Sequence, residues 1–194
     1  MSTFRHLGDR LVHQGYIWHV AVGEFESPDG ERFQRDIVRS PGAVAAVPLR
    51  HGADGVPRVV MVRQYRPPFD DYVIEIPAGM RDVPGEATDV TAARELVEEV
   101  GLRPGRLEHL LDMYPSSGMT DSVLTLYLAT ELSEVPRATH GPEEADMEVL
   151  DLTFAEAMAM VLRGEIHDAK TVIGLLLVEQ IGRASCRERV CTLV

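Results

Sequence analysis

Cysteine is missing from the first 180 residues. The chain's only two, Cys186 and Cys191, lie in its last stretch. That excludes a disulfide framework and thiolate chemistry from the main body, and it fits a cytoplasmic protein. No run approaches the roughly 18 apolar residues of a membrane-spanning helix, and no secretory signal pattern opens the chain. Basic residues are scarce too: 19 Lys and Arg face 31 Asp and Glu, a net charge of −12. Such a chain repels nucleic-acid backbones unless a metal intervenes. It also needs local arginines or bound cations wherever an anionic ligand is to be held. The seven histidines show no metal-ligand spacing. What is present is a 194-residue chain, 45% hydrophobic, enough for one domain with a real core or for a domain with a small annex.

The acidic charge is concentrated. Between Gly79 and Leu102, Glu86, Glu95, Glu98 and Glu99 gather with Arg94 around one predicted helix, framed by Gly79 and Gly101. Thr88 is the expected N-cap and Gly101 the C-terminal stop. Val90, Ala93, Leu96, Val97 and Val100 recur at helical steps and make one apolar stripe. Glu95, Glu98 and Glu99 then share the opposite face at i, i+3 and i+4, where like charges repel by about 0.2–0.5 kcal/mol per pair. A Glu-rich face is ordinarily solvated surface. Here a hard cation would remove the repulsion, since Mg²⁺ takes oxygen ligands and keeps room for waters and substrate phosphates. Arg94 can hold one of the acids by a charge-assisted bond.

Along the chain, Tyr16 to Phe25 and Arg32 to Arg39 read as strands of a hairpin around Ser27-Pro28-Asp29-Gly30, and Pro41-Gly42 breaks the chain after it. Further strands are expected at Ala43 to Leu49, Arg58 to Tyr65, Tyr72 to Ile76, Leu107 to Met113, Val123 to Ala129 and Met147 to Leu152. Thr153-Phe154-Ala155-Glu156 is a capping box for a helix to about Arg163. Asp168 can cap a last helix through about Leu177. Strands mixed with three helices, without regular alternation, indicate an α+β or mixed sandwich and not a doubly wound sheet. Ile181 to Val190 resembles a translated sequencing-adapter read-through. Residues 181–194 are therefore expected to be a non-native tail and carry no functional reading.

The segment from Gly79 resembles the Nudix box, Gly-x5-Glu-x7-Arg-Glu-U-x-Glu-Glu-x-Gly-U with U aliphatic. It matches at Gly79, Glu86, Arg94, Glu95, Leu96, Glu98, Glu99, Gly101 and Leu102. Six residues, not five, separate Gly79 from Glu86. Most of the chain before residue 180 resembles the ADP-ribose pyrophosphatases of actinobacterial type. The resemblance implies a Nudix α/β/α sandwich over residues 42–180. It also implies a β annex over residues 1–41 that swaps across a homodimer, an ordinary edge hairpin being the alternative.

The resemblance implies Mg²⁺ or Mn²⁺ held by Glu95, Glu98, Glu99 and the carbonyl of Ala78, with Glu98 counted among the catalytic residues. The general base falls at Glu143, or else Glu144, in the acidic loop Gly141 to Asp146. Arg66, closing Arg63-Gln64-Tyr65-Arg66, would face a substrate phosphate, as a guanidinium does well. Arg35 would reach the substrate from the partner subunit. Tyr16, Ile17 and Trp18 would pack on adenine, although a core role suits a lone tryptophan equally. The substrate loop Pro115 to Ser122 supplies Ser116, Gly118 and Met119. It departs from the family pattern at Ser117, in place of proline, and at Ser122, in place of a sugar-contacting glutamate; Asp121 could substitute only if the loop shifts. The implied reaction is hydrolysis of ADP-ribose to AMP and ribose 5-phosphate. Another nucleotide-sugar or dinucleotide pyrophosphatase, or a non-catalytic nucleotide sensor, are the alternatives. Neither nucleic acid nor membrane is expected as a partner.

Overall fold

The computed structural model describes residues 3–138 and 146–191, with backbone alone beyond residue 183. Its first unit is a three-stranded antiparallel sheet, β1 (Arg5–Gln14), β2 (His19–Glu26) and β3 (Arg32–Arg39). The predicted hairpin is β2–β3. Its turn closes where expected: the Gly30 N–H donates to the Ser27 carbonyl at 3.0 Å, and the Glu31 N–H to Ser27 Oγ at 3.0 Å. Two corrections apply. The first hairpin strand starts at His19 instead of Tyr16, and β1 adds a third strand. All ten β1 residues are exposed, so no in–out alternation announced that strand.

The second unit is a mixed sheet built from β4 (Ala43–His51), β5 (Pro57–Arg66), β6 (Asp71–Glu75), β7 (Ala78–Met80), β9 (Arg106–Met113), β10 (Leu124–Thr130) and β12 (Glu148–Thr153). The main order is β12-β5-β4-β10-β9, with β6 on β5 and β7 on β4. Of these pairs, β10–β4 runs parallel. A small pair, β8 (Leu102–Arg103) with β11 (Ser133–Glu134), lies apart. Among the described residues the longer helices are α1 (Thr88–Val100), α2 (Phe154–Arg163) and α3 (Ala169–Cys191); the last runs well past Leu177.

Both faces of the central strands are covered, which is why β4 and β5 read as nearly continuous apolar runs. One face sends Val47, Val59, Met61 and Leu126 toward Ala157 of α2 and Leu175 and Val178 of α3. The other sends Val44, Ala46, Val60 and Val62 toward Ala92, Leu96 and Val100 of α1. Helices thus sandwich the sheet, as the resemblance implied. Among the described residues no helix is long and apolar enough to cross a membrane.

The caps show which local signals hold. The α2 capping box forms in both directions between Thr153 and Glu156. Gly101 ends α1 in the left-handed region at φ 65°, its N–H directed to the carbonyls of Leu96 and Val97. Thr88, however, is not the N-cap; that position is Ala87, with no side-chain cap. The Thr88 hydroxyl instead hydrogen-bonds the Tyr127 hydroxyl at 2.6 Å, pinning the helix start to β10. Val90 is 52% exposed and lies outside the stripe, while Thr91, Ala92, Glu95, Leu96, Glu99 and Val100 are buried. Two of the acids expected on a free face therefore lie inward.

This orientation sets a stability contrast. Leu96→Ala should cost about 2–5 kcal/mol, as large-to-small changes in a packed core do, whereas Val90→Ala should stay within about 0.5 kcal/mol. Urea denaturation of both variants checks it.

Candidate active site

The site is built where α1 meets β7. Pro77-Ala78-Gly79 is more than a strand-ending turn. Ala78, Gly79 and Met80 pair with Ala45, Val44 and Ala43 of β4 as a short antiparallel strand. The Ala46 N–H donates to the Pro77 carbonyl at 3.0 Å, and the Arg81 N–H to the Gly42 carbonyl at 3.1 Å. The Ala78 N–H donates to Glu99 Oε2 at 3.0 Å. Glu95 lies over the next residue: a Cβ on Gly79 would come within 2.0–2.3 Å of its carboxylate atoms. Any side chain here would push that carboxylate off the backbone on which it rests.

Arg94 gathers the acids. Its Nη1 lies 2.9 Å from Glu95 Oε1 and 2.9 Å from Glu98 Oε2. Its Nη2 lies 3.2 Å from Asp82 Oδ1 and 3.4 Å from Glu86 Oε2. Burial pulls the Arg94 pKa down, but the charges of Glu95, Glu98 and Glu86 outweigh it, and the net shift is upward. Its Nε is buried with no hydrogen-bond partner among the described residues. Among the described residues no three acidic or histidine side chains close on one point; the guanidinium of Arg94 stands between Glu95 and Glu98. The donor chemistry still fits a hard divalent cation. The side-chain donors are all carboxylate oxygens, the acids outnumber the one arginine, and Gly79 leaves room for the Glu95 carboxylate against the backbone.

A cavity of about 840 Å³ is lined by Arg63, Arg66, Phe69, Tyr72, His167 and Lys170, among others. Arg66 lies at the end of β5 and is engaged by Glu75: Nε donates to Oε1 at 2.6 Å and Nη2 to Oε2 at 2.7 Å. Burial pushes the Glu75 carboxyl up, yet the Arg66 hydrogen bonds and the charges of Lys170 and Arg66 hold it below the usual range. Tyr72 donates to Asp146 Oδ2 at 2.6 Å, and the Arg63 guanidinium lies 4.3 Å from the centre of the Tyr72 ring. Asp146 is the last residue of the acidic loop. Glu143 and Glu144 lie outside the described residues.

The loop Pro115 to Ser122 is docked on the annex. The Val38 N–H donates to the Met119 carbonyl at 2.9 Å, and Thr120 Oγ1 to the Val38 carbonyl at 2.7 Å. Met119 and Thr120 in turn donate to the Ser116 carbonyl. Asp121 is committed to the same joint, accepting from the Ser40 N–H at 3.0 Å and from Arg39 Nη1 at 3.1 Å. Arg39 also binds Asp9 through Nε and Nη2. With Asp121 so held, the loop does not shift it into the place of Ser122. Arg35, Gly118 and Met119 line one smaller cavity, of about 340 Å³, within this chain. Ile17 lines another beside Arg39 and Asp121. Trp18 is 54% exposed and Tyr16 is fully exposed, so neither is a core residue.

Thus Glu95 and Glu99 meet Ala78 and Gly79 at β7, with Glu98 joined to Glu95 through Arg94. Arg66 stands at a separate cavity, and Arg35 with the loop Pro115 to Ser122 at another. Sequence reasoning passed over Asp82, Glu75 and Lys170. Glu75 had a readable signal: an acid inside the short apolar strand before Pro77 must find a cation if that strand is buried.

Comparison with known proteins bears on this arrangement. Residues 39–172 match the NUDIX domain family. The chain is 38% identical over 178 residues to an ADP-ribose pyrophosphatase of Mycobacterium tuberculosis, covering 92% of this chain and 84% of that protein. It is 36% identical over 164 residues to a methanol dehydrogenase activator of Bacillus methanolicus, covering 84% and 86%. A crystal structure of an ADP compounds hydrolase superposes with a TM-score of 0.78 over 94% of this chain and 96% of that one, at 22% identity, a likeness of fold. The box, the sandwich around it and these matches agree: the chain belongs to the Nudix family and is a Nudix hydrolase.

Proposed function

We propose that this protein is a Mg²⁺- or Mn²⁺-dependent pyrophosphatase that cleaves ADP-ribose to AMP and ribose 5-phosphate. The observation that carries the reading is the gathering of the box acids beside β7: Glu99 is bonded to the Ala78 N–H, Glu95 rests on Gly79, and Arg94 ties Glu86 and Glu98 to them. Glu95, Glu98, Glu99 and the Ala78 carbonyl would hold the cation. A bound cation of this kind neutralises charge on the diphosphate and lowers the pKa of a bound water.

The protein's own groups do the rest. Arg94 keeps Glu95 and Glu98 apart from solvent and ready as ligands. Arg66 offers a guanidinium to a phosphate at the large cavity. Glu143, or Glu144 in its place, would take the proton from the attacking water. Ser116, Gly118 and Met119 would position the sugar. Arg35, Ile17 and Trp18 would bind the nucleotide from the partner subunit. The exposed Trp18, Leu11 and Val12 of the annex suit burial against a second copy.

A second reading keeps the chemistry and changes the sugar. Ser122 stands where the ADP-ribose enzymes carry glutamate, and Asp121 is held by Arg39 and Ser40. Another nucleotide-sugar would therefore suit the loop.

Three measurements test these statements. In a panel of nucleoside diphosphate derivatives with Mg²⁺ or Mn²⁺ and product identification, ADP-ribose should be cleaved fastest, giving AMP. Faster cleavage of a GDP-sugar would select the second reading, and no cleavage of any diphosphate would leave a nucleotide sensor. Glu98→Gln should lower kcat by about 100-fold or more with an unchanged melting curve, since it removes charge and keeps shape. Light scattering should give twice the chain mass; a monomer would remove the case for a shared site.

A further inference from the structure

Glu75 is a carboxylate in the protein interior, its side chain 3% exposed. An ion this deep is tolerated only when paired and hydrogen-bonded. It has two cationic partners. Arg66 takes both oxygens through its Nε–Nη2 edge, and Lys170 Nζ bonds Oε2. Lys170 is the only lysine in the chain. It is itself nearly buried and lies 3.0 Å from Asp168 Oδ1. Its position is set by the first turn of α3, which is tied to the end of β6. Thr171 Oγ1 donates to Asp168 Oδ2 at 2.6 Å and accepts from the Ile76 N–H at 2.8 Å.

Both cations line the large cavity but differ in how far they are committed. Lys170 is 11% exposed and bonded to two carboxylates, whereas the Arg66 side chain keeps 38% exposure. If Arg66 were the sole counter-charge of Glu75, its charge would be spent on that carboxylate and little would remain for a ligand anion. A second cation on Oε2 changes this balance. Part of the Glu75 charge is met by Lys170, and the fork of Arg66 is held by one edge while the rest of the guanidinium is presented to the cavity.

We propose that Lys170 is a positioning residue for diphosphate binding: by sharing Glu75 it keeps Arg66 oriented and electrostatically available to a substrate phosphate. This rests on the diphosphate reading above and adds a residue to it. A purely structural Lys170 would satisfy Glu75 and affect melting alone, so KM and its coupling to Arg66 separate the two roles.

The test uses the full chain and steady-state cleavage of ADP-ribose, with ADP affinity measured by calorimetry on the same samples. Lys170→Gln removes the charge but keeps a donor for Glu75. It should raise KM and the ADP dissociation constant about tenfold, with kcat within about threefold of wild type, the pattern of lost binding common to ground and transition states. Lys170→Arg should restore both to within about threefold of wild type. In an Arg66→Ala background, Lys170→Gln should add nothing further, because its effect runs through Arg66. Unchanged KM and ADP affinity in Lys170→Gln, or additive losses in the double variant, would overturn the proposal. Should Lys170→Gln fail to fold, Lys170→Met takes its place in both Arg66 backgrounds: a tenfold loss present with Arg66 and absent without it supports the proposal, and any other pattern overturns it. Wild type that binds ADP but cleaves no diphosphate would sink the proposed reaction, while the calorimetric comparison would still decide the role of Lys170.

Discussion

The structure depends on how two carboxylates are buried against a backbone. Glu95 and Glu99 point from α1 into β7, where desolvation of an ion costs several kcal/mol unless hydrogen bonds and charge offset it. The offset is local. The Ala78 N–H serves Glu99, and Arg94 serves Glu95. The pairing of β7 with β4 holds the Ala78 N–H in place for Glu99, and a side chain at Gly79 would displace the Glu95 carboxylate. The acids therefore act as structural joints between helix and sheet as well as ligand candidates. Leu96 and Val100, packed on the sheet beside them, supply the apolar burial that keeps the helix at that height.

A chain so acidic has few cations to distribute, and most are bound to acids. Arg39 joins Asp9 to Asp121, Arg50 and Arg58 converge on Asp151, and Arg94 spans four carboxylates. The Asp151 pair illustrates the balance. Burial raises its pKa, and hydrogen bonds from Arg50 and Arg58 more than reverse that. A depressed carboxylate pKa contributes stability above the unfolded value that is lost as pH falls through the folded one. Anionic ligands must be met by arginines that keep part of their surface out of these pairs, and Arg66 at its cavity is such a group.

Legibility from sequence followed the range of the interactions involved. The Gly101 stop, the Thr153 capping box and the hairpin turn after Glu26 are decided within a few residues, and all were readable. The strands β4 and β5 were readable because burial on both faces leaves a continuous apolar run. β7 was hidden because three residues, Ala78 to Met80, become a strand only through partners more than thirty positions earlier. β1 was hidden because its residues are exposed on every side. The inward turn of Glu95 and Glu99 inverted the usual rule that glutamates mark a solvated face. Only the box pattern pointed to them, and the pattern says nothing about burial.

The same distinction separates reaction type from substrate choice. The box acids are held by contacts within and beside one helix, so the pattern carries nearly all of that geometry. The loop Pro115 to Ser122 is held by contacts from Met119, Thr120 and Asp121 to Val38, Arg39 and Ser40 of the annex, some eighty residues away. Asp121 is the telling residue. Beside Ser122 it resembles a displaced sugar-binding acid, but in the fold its two oxygens fasten the loop to β3. On the proposed function, an acid that fastens this loop would fix the sugar site indirectly, through the position of Ser116, Gly118 and Met119. Substrate preference would then depend on the annex–loop joint as much as on any residue that touches the sugar.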